Sequence, residues 1–198
     1  MNRMAVFTAP KPFVDPHITT IQRNAIKSWQ ALGERVEIWL VGDEEGVESH
    51  ARDLGVGYLP QVERNSYGTP QISSIFDLVR QNSSAEYLCY VNADILLFPD
   101  MLSVLDKITP RIPSFLAIGR RWDANIREAL EIFPGWGDEF VKKTLQSSRL
   151  HRAAGSDYFI FSRDQFKDIP AFAVGRSGWD NWMIYKARVE HWPVIDAT

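Results

Sequence analysis

YLCYVNADILLFPD, residues 87–100, forms the most apolar stretch of the chain, and it carries Asn92 and Asp94 two positions apart. Side chains in a β-strand alternate with a period of two, so the spacing predicts that these two residues share a face. A strand apolar on both faces belongs in the middle of a parallel sheet. Burying an unpaired carboxylate is costly, which predicts that Asp94 lies at the solvent end of the strand beside a cation, a donor or a ligand. Taken alone, Asn92-Ala93-Asp94 also reads as a turn that ends a strand before Pro99, so the neighbouring segments decide.

Upstream, strand-like runs alternate with helical periodicity: MAVFTA (4–9), a helix over 17–32, VEIWLVG (36–42), a short helix near 46–54, a strand near 56–60 and a helix over 70–81 that leads into a strand over 85–97. Ile18, Ile21, Ala25, Trp29 and Leu32 recur at spacings of three and four, which puts them on one helical face that must cover a sheet. Thr69-Pro70 supplies a capping hydroxyl followed by proline at a first helical position. Downstream come strands over 115–121 and 156–162, an irregular or helical excursion over 123–153, a helix from about 179 to 190, and PVIDA (193–197). Strands alternating with helices predict an α/β fold with a mostly parallel central sheet, whose ligands bind beyond the carboxyl ends of the strands.

At 198 residues and 45% hydrophobic content the chain is sized for a single domain spanning 1–198. A formal net charge of −3, with Lys and Arg scattered, argues against nucleic acid as a partner. One cysteine, Cys89, allows neither an internal disulfide nor a cysteine metal cluster and suits a cytoplasmic location. No run of about 18 apolar residues is present to form a transmembrane segment. Five of the seven tryptophans lie in the second half, where core packing is the first explanation and sugar stacking the second.

An apolar strand that ends in an aspartate-any-aspartate motif resembles the glycosyltransferases of the A type, a nucleotide-diphospho-sugar transferase superfamily with a family-2-like branch. The resemblance implies a Rossmann-like glycosyltransferase-A fold, with a nucleotide-binding half over about 1–100 and an acceptor-binding half over about 101–198. It also implies that Asp94 binds a divalent cation, manganese or magnesium, bridging a nucleotide diphosphate. Asn92 stands where the first aspartate usually does, which removes one negative charge but leaves a group able to bond a ribose or sugar hydroxyl, with Ala93 between them. In this family Thr8-Ala9-Pro10, leaving the first strand, and Asp43, leaving the second, occupy positions that hold the base and ribose. Arg120 ends a later strand near the diphosphate and could offset the missing charge, whereas Arg121 reads as a solvated surface residue.

The second half strengthens the likeness. GSDYFIFSRDQF (155–166) followed by SGWDNWMIYKA (177–187) is similar to the acceptor half of such enzymes: a glycine-led strand, S-R-x-x-F, then a Gly-Trp-Asp element opening a helix. The resemblance puts Gly155-Ser156-Asp157 and Gly178-Trp179 at the acceptor sugar, and Asp180 where inverting members hold the general base. Asp180 also reads as a helix N-cap, and Gly155-Ser156-Asp157 as a plain turn. The histidines His17, His50, His151 and His191 show no metal spacing and read as surface or capping residues. Many A-type enzymes bind the metal with a late histidine after the last strand, but His191 precedes it, leaving Asp94 as the clear protein ligand.

The implied activity is transfer of a sugar from a nucleotide diphosphate sugar to a hydroxyl acceptor (glycan, lipid-linked sugar or protein), with inversion and metal assistance. Two alternatives remain: a non-catalytic nucleotide-sugar or glycan-binding module on a degenerate transferase fold, and a sugar nucleotidyltransferase. The second would carry a glycine-rich basic loop after the first strand, which Thr8-Ala9-Pro10-Lys11-Pro12 does not resemble. The glycine signatures of dinucleotide-binding, P-loop and serine-hydrolase folds are not found in the sequence.

Overall fold

The structure is a computed structural model that describes residues 3–133, 135–152 and 155–198. The first half runs β1 (Met4–Thr8), α1 (Pro16–Gln30), β2 (Val36–Val41), α2 (Val47–Leu54), β3 (Gly57–Leu59), α3 (Ile72–Asn82), β4 (Tyr87–Val91) and α4 (Asp100–Ile108). The second runs β5 (Leu116–Gly119), β6 (Trp122–Asp123), α5 (Trp136–Leu145), β7 (Arg149–Leu150), β8 (Tyr158–Ser162), α6 (Trp179–Val189) and β9 (Val194–Asp196).

Seven strands form one sheet in the order β3-β2-β1-β4-β8-β5-β9, and β6 pairs with β7 in a separate ribbon. Every neighbouring pair in the large sheet is parallel except those made by β8, which runs antiparallel to both β4 and β5. The predicted mostly parallel α/β sheet is therefore present and draws strands from both halves of the chain.

Alternation along the strands feeds two cores. Val6, Cys89, Val91 and Ile160 face Ala25, Ile26 and Trp29 of α1 and Leu105 of α4. Phe7, Leu88, Tyr90 and Phe161 face Ile75 and Phe76 of α3 and Met183 of α6. The second core is a run of aromatic contacts, with Phe76 stacked on Phe161 at 5.5 Å and edge-on to Phe7 at 5.0 Å. Burial on both faces explains why β4 reads as an uninterrupted apolar run.

Several expected boundaries shift. The strand expected over 85–97 ends at Val91, and Asn92–Asp94 form a turn closed by Ile95 N donating to Asn92 O at 3.1 Å, so strand alternation does not set their directions. The helix expected from 70 begins at Ile72, because Pro70 and Gln71 are engaged in bridges to Arg64 and Ala173. α1 is capped by Asp15, whose Oδ1 accepts from Ile18 N at 2.8 Å. The helix α4, with Met101, Leu102 and Leu105 buried, lies in a stretch given no element by the periodicity, and the excursion over 123–153 contains α5 and the β6–β7 ribbon. Among the described residues no helix is long and apolar enough to cross a membrane.

Candidate active site

Because β8 is antiparallel to its neighbours, its N-terminal end meets the carboxyl ends of β4, β5 and β9 along one edge of the sheet. Asp157, just before β8, extends both ladders by one residue: its N–H donates to Gly119 O at 3.0 Å and its carbonyl accepts from Asn92 N at 3.1 Å. The sheet thereby fixes the Asn92 turn, the exit of β5 and the entry to β8 against one another. Gly119 is needed here, since a Cβ would run into the ring of Tyr158.

The side chains at this edge form a connected network. The Asp157 carboxylate is 4% exposed and receives Arg121 Nη1 at 2.7 Å, Arg121 N at 3.2 Å and Asn92 Nδ2 at 3.2 Å. Arg121 Nε bonds Asp123 at 2.8 Å, and the His151 ring lies 2.9 Å from Asp123 and 3.0 Å from Arg121 Nη2. His151 and Arg121 hold the Asp123 carboxyl below the usual carboxylate range. Burying Asp157 is tolerable because each of its oxygens is bonded and its charge is balanced by a guanidinium.

Arg121 is therefore not a solvated surface residue: it ties the exit of β5 to the entry of β8. His151 likewise joins this network instead of standing apart. Neither role was visible in spacing, since 121, 123, 151 and 157 meet only through the β6–β7 ribbon and the antiparallel β8.

Beside this network opens a cleft of about 730 Å³ lined by Asp94, Arg120, Trp122, Asp157 and Thr198 along the sheet edge and by apolar side chains of α1, α4 and α5. Asp94 is exposed in the turn after β4. Arg120 N donates to Thr198 Oγ1 at 3.1 Å, its Nη1 reaches His151 O only at 3.5 Å, and its buried Nε has no partner among the described residues. A buried donor left unpaired is unfavourable until a ligand oxygen satisfies it. Trp122, 46% exposed on the cleft, supplies an indole face that sequence reasoning did not single out.

The other candidates occupy different surroundings. Thr8 is fully buried at the end of β1 with Oγ1 unpaired, and Pro10 is buried beside half-buried Ala9. The following loop is held on α1 by Gln22, which bonds Lys11 N at 2.8 Å and Lys11 O at 3.0 Å. Asp43, exposed after β2, pairs with Arg64, which holds its carboxyl below the usual range. Gly155 and Ser156 are half-buried, and a Cβ on Gly155 would crowd the His151 ring.

Gly178 takes φ 116°, a conformation glycine adopts readily, and is the N-cap of α6. Asp180 is thus two residues further in and not the N-cap itself; its Oδ1 accepts from Asn181 N at 2.8 Å and Gly178 N at 3.3 Å. The Trp179 ring, expected near an acceptor, is buried against Tyr90 at 5.0 Å and Phe159 at 4.9 Å. Trp182 packs beside Phe172 and Phe166. α6 covers the second core, so Asp180 lies on the sheet face opposite the α1 and α4 walls of the cleft and is not among the residues that line it.

A divalent cation at this edge would find few protein donors. Asp157 is committed to Arg121, leaving the Asp94 carboxylate and the Asn92 amide at the turn, and among the described residues no group of three or more His, Cys, Asp or Glu could hold a metal. One carboxylate suits a hard cation that takes its remaining ligands from phosphate oxygens and water, as magnesium does.

No family model matches the sequence, and no curated protein matches it. Solved structures do. A protein assigned as a nucleotide-diphospho-sugar transferase from Desulfovibrio desulfuricans aligns over 99% of this chain and 80% of its own, with 13% identity and a TM-score of 0.57. TarS 1-349 of S. aureus aligns over 99% of this chain and 58% of its own, with 14% identity and a TM-score of 0.60. Glucosyl-3-phosphoglycerate synthase from Mycobacterium tuberculosis, in complex with Mn2+, UDP-glucose and phosphoglyceric acid, aligns over 98% of this chain and 69% of its own, with 14% identity and a TM-score of 0.56. The chain has the glycosyltransferase-A fold, and its structural neighbours include nucleotide-sugar transferases.

Proposed function

We propose that the chain is a nucleotide-sugar-dependent glycosyltransferase that moves a sugar from a nucleotide diphosphate to a hydroxyl acceptor with inversion. The observation that carries this reading is the meeting of Asn92–Asp94, Arg120 and Asp157 along the carboxyl edge of a glycosyltransferase-A sheet, beside a cleft. In this fold class ligands bind beyond that edge.

The reading assigns the nucleoside to the exits of β1 and β2, at Thr8-Ala9-Pro10 and Asp43, and the diphosphate to Asp94 and Arg120. The unpaired Nε of Arg120 would gain a phosphate oxygen there. A manganese or magnesium ion held by Asp94, when bound, would neutralise charge on the departing diphosphate. Asp180 would accept the acceptor proton, and Asn92, Arg121 and Asp157 would hold the Asp94 turn in place. On this reading the half over about 1–100 supplies most of the donor site, and the half over about 101–198 adds Arg120 to it. Cys89, buried in the sheet, suits a reducing cytoplasm.

Calorimetry with UDP-, GDP- and TDP-sugars, each with and without manganese, tests the reading on the full chain. At least one nucleotide sugar is expected to bind, and Asp94→Ala to weaken it by tenfold or more. Failure of every donor under both conditions removes the reading.

A further inference from the structure

The cleft is amphipathic, and its two parts differ in kind. Along the sheet edge it presents Asp94, Arg120 and Thr198; away from the edge its walls are mainly apolar, with Ile21 of α1, Leu96 before α4, Met101 and Val104 of α4, and Phe140 and Leu145 of α5, and His17, Asn24, Asp100 and Thr144 are the polar side chains these helices add. Its volume of about 730 Å³ falls within the range of small-molecule sites. Leu145 and Trp122 keep 38% and 46% of their surfaces exposed there.

The expected nucleoside does not fill this space. The cleft lies over the ends of β4, β8, β5 and β9, and Thr8, Ala9, Pro10 and Asp43 are not among its lining residues; Asp43 borders a separate acidic hollow of about 320 Å³. A free oligosaccharide fits it poorly, because hydroxyls laid against Met101, Val104 and Phe140 would give up water without gaining a partner. An aliphatic or aromatic body gains by the same contact.

We infer that the acceptor is an amphiphile, with a hydroxyl-bearing polar head at the sheet edge, beside the diphosphate position at Asp94 and Arg120, and an apolar body along the α1, α4 and α5 walls. The word acceptor rests on the transferase reading; the preference for an apolar body rests on the cleft. Trp122 offers an indole face on which a sugar ring of the head or a planar part of the body can stack.

The test uses methyl, hexyl and octyl β-glucosides below their micelle concentrations, titrated calorimetrically into the full chain. Each methylene buried tightens binding by up to about fourfold, so octyl is expected to bind at least fivefold more tightly than hexyl, and methyl far more weakly than either. Leu145→Asp, at a position already partly in solvent, is expected to abolish the chain-length dependence while circular dichroism shows the fold retained; Val104→Asp repeats the test from α4. Octyl binding no tighter than methyl overturns the inference. So does a chain-length dependence that survives both folded variants, because the alkyl chain would then lie elsewhere. Nucleotide-sugar binding measured on the same preparation separates the two readings. If a donor binds and chain length has no effect, the amphiphile inference alone falls. If chain length matters and no donor binds, the transferase reading falls, and the acceptor assignment with it.

Discussion

Asn92 and Asp157 are joined twice, backbone to backbone at 3.1 Å and amide to carboxylate at 3.2 Å. The side-chain bond requires a donor at position 92, which an ionised aspartate cannot be. The asparagine that departs from the aspartate-any-aspartate pattern is thus matched to its neighbour. Asn92→Asp would set two carboxylates together with Arg121 left to balance both, and is expected to lower stability by about 1–3 kcal/mol at pH 7. One carboxyl of the new pair would titrate above its unfolded value. Its penalty is therefore full at neutral pH and shrinks as pH falls through that raised value. Urea unfolding of variant and parent at pH 7 and 4.5 checks this; equal deficits at both would rule out charge repulsion. The exchange Asn92→Asp/Asp157→Asn restores one donor facing one carboxylate, so a double-mutant cycle should show a favourable coupling of about 1 kcal/mol.

Asp123 gives a pH dependence of its own. His151 and Arg121 depress its folded pKa below the ordinary range. A depressed carboxylate stabilises above its unfolded pKa, and that contribution fades as pH falls through the lower folded value. Asp123→Asn should therefore flatten the acid limb of the stability curve below about pH 4. The effect should weaken in 0.5 M salt, as this carboxylate is exposed. Thermal melts between pH 2.5 and 6 are the measurement, and an unchanged acid limb would mean that the ribbon contacts add nothing.

The parts of the fold readable from sequence are those written in local periodicity. The stripe on α1 and the apolar run of β4 each declare a buried face; α1 forms within about two residues of its expected bounds, and β4 forms at Tyr87–Val91, the first part of the expected strand. Missed features depend on long-range partners. Thr69-Pro70 looks like a helix start, yet Pro70 O accepts from Val174 N at 2.9 Å and Ile72 N donates to Phe172 O at 2.8 Å, so pairing with the 172–174 segment delays α3. Arg121 looked like surface because its partner Asp157 lies 36 residues away across an antiparallel strand. Trp179, expected at an acceptor, is buried, and Trp122 is exposed on the cleft, for a similar reason: burial is decided by which helix or ribbon crosses the sheet, and no short window records that.

Cys89 lies fully buried in β4, where burial pushes its thiol pKa well above the ordinary value. Thiolate is the reactive form, so the folded chain should resist thiol reagents at pH 8 and react only on opening. Labelling rate against urea concentration reads this directly. Rapid labelling without denaturant would show that β4 is not the closed central strand described.

Trp29 links the first helix to the turn that carries Asp94. Its ring is fully buried and its Nε1 donates to Ile95 O at 2.8 Å, while the preceding Ser28 Oγ accepts from Leu97 N at 3.0 Å. Trp29→Phe keeps an aromatic ring but leaves the Ile95 carbonyl unpaired and a small void, for a loss of about 1–3 kcal/mol. Because the loosened segment follows Asp94 directly, donor affinity should fall as well, whereas Trp39→Phe, with no Nε1 partner to lose, should spare it. Calorimetry on both variants makes the comparison.

Asp180 occupies the second position of α6, and its Oδ1 is used by the N–H groups of Asn181 and Gly178. Asparagine retains an acceptor oxygen at that site, so Asp180→Asn preserves the local turn and forfeits mainly the favourable charge at a helix start, about 0.3–1 kcal/mol. It also removes the basic group that the transfer mechanism requires. The variant should therefore bind the nucleotide sugar normally, melt within a few degrees of the parent, and lose about 10²–10⁴-fold in turnover. A structural role alone predicts the reverse pattern, a small stability loss with turnover intact, and that outcome would take the base assignment away from Asp180.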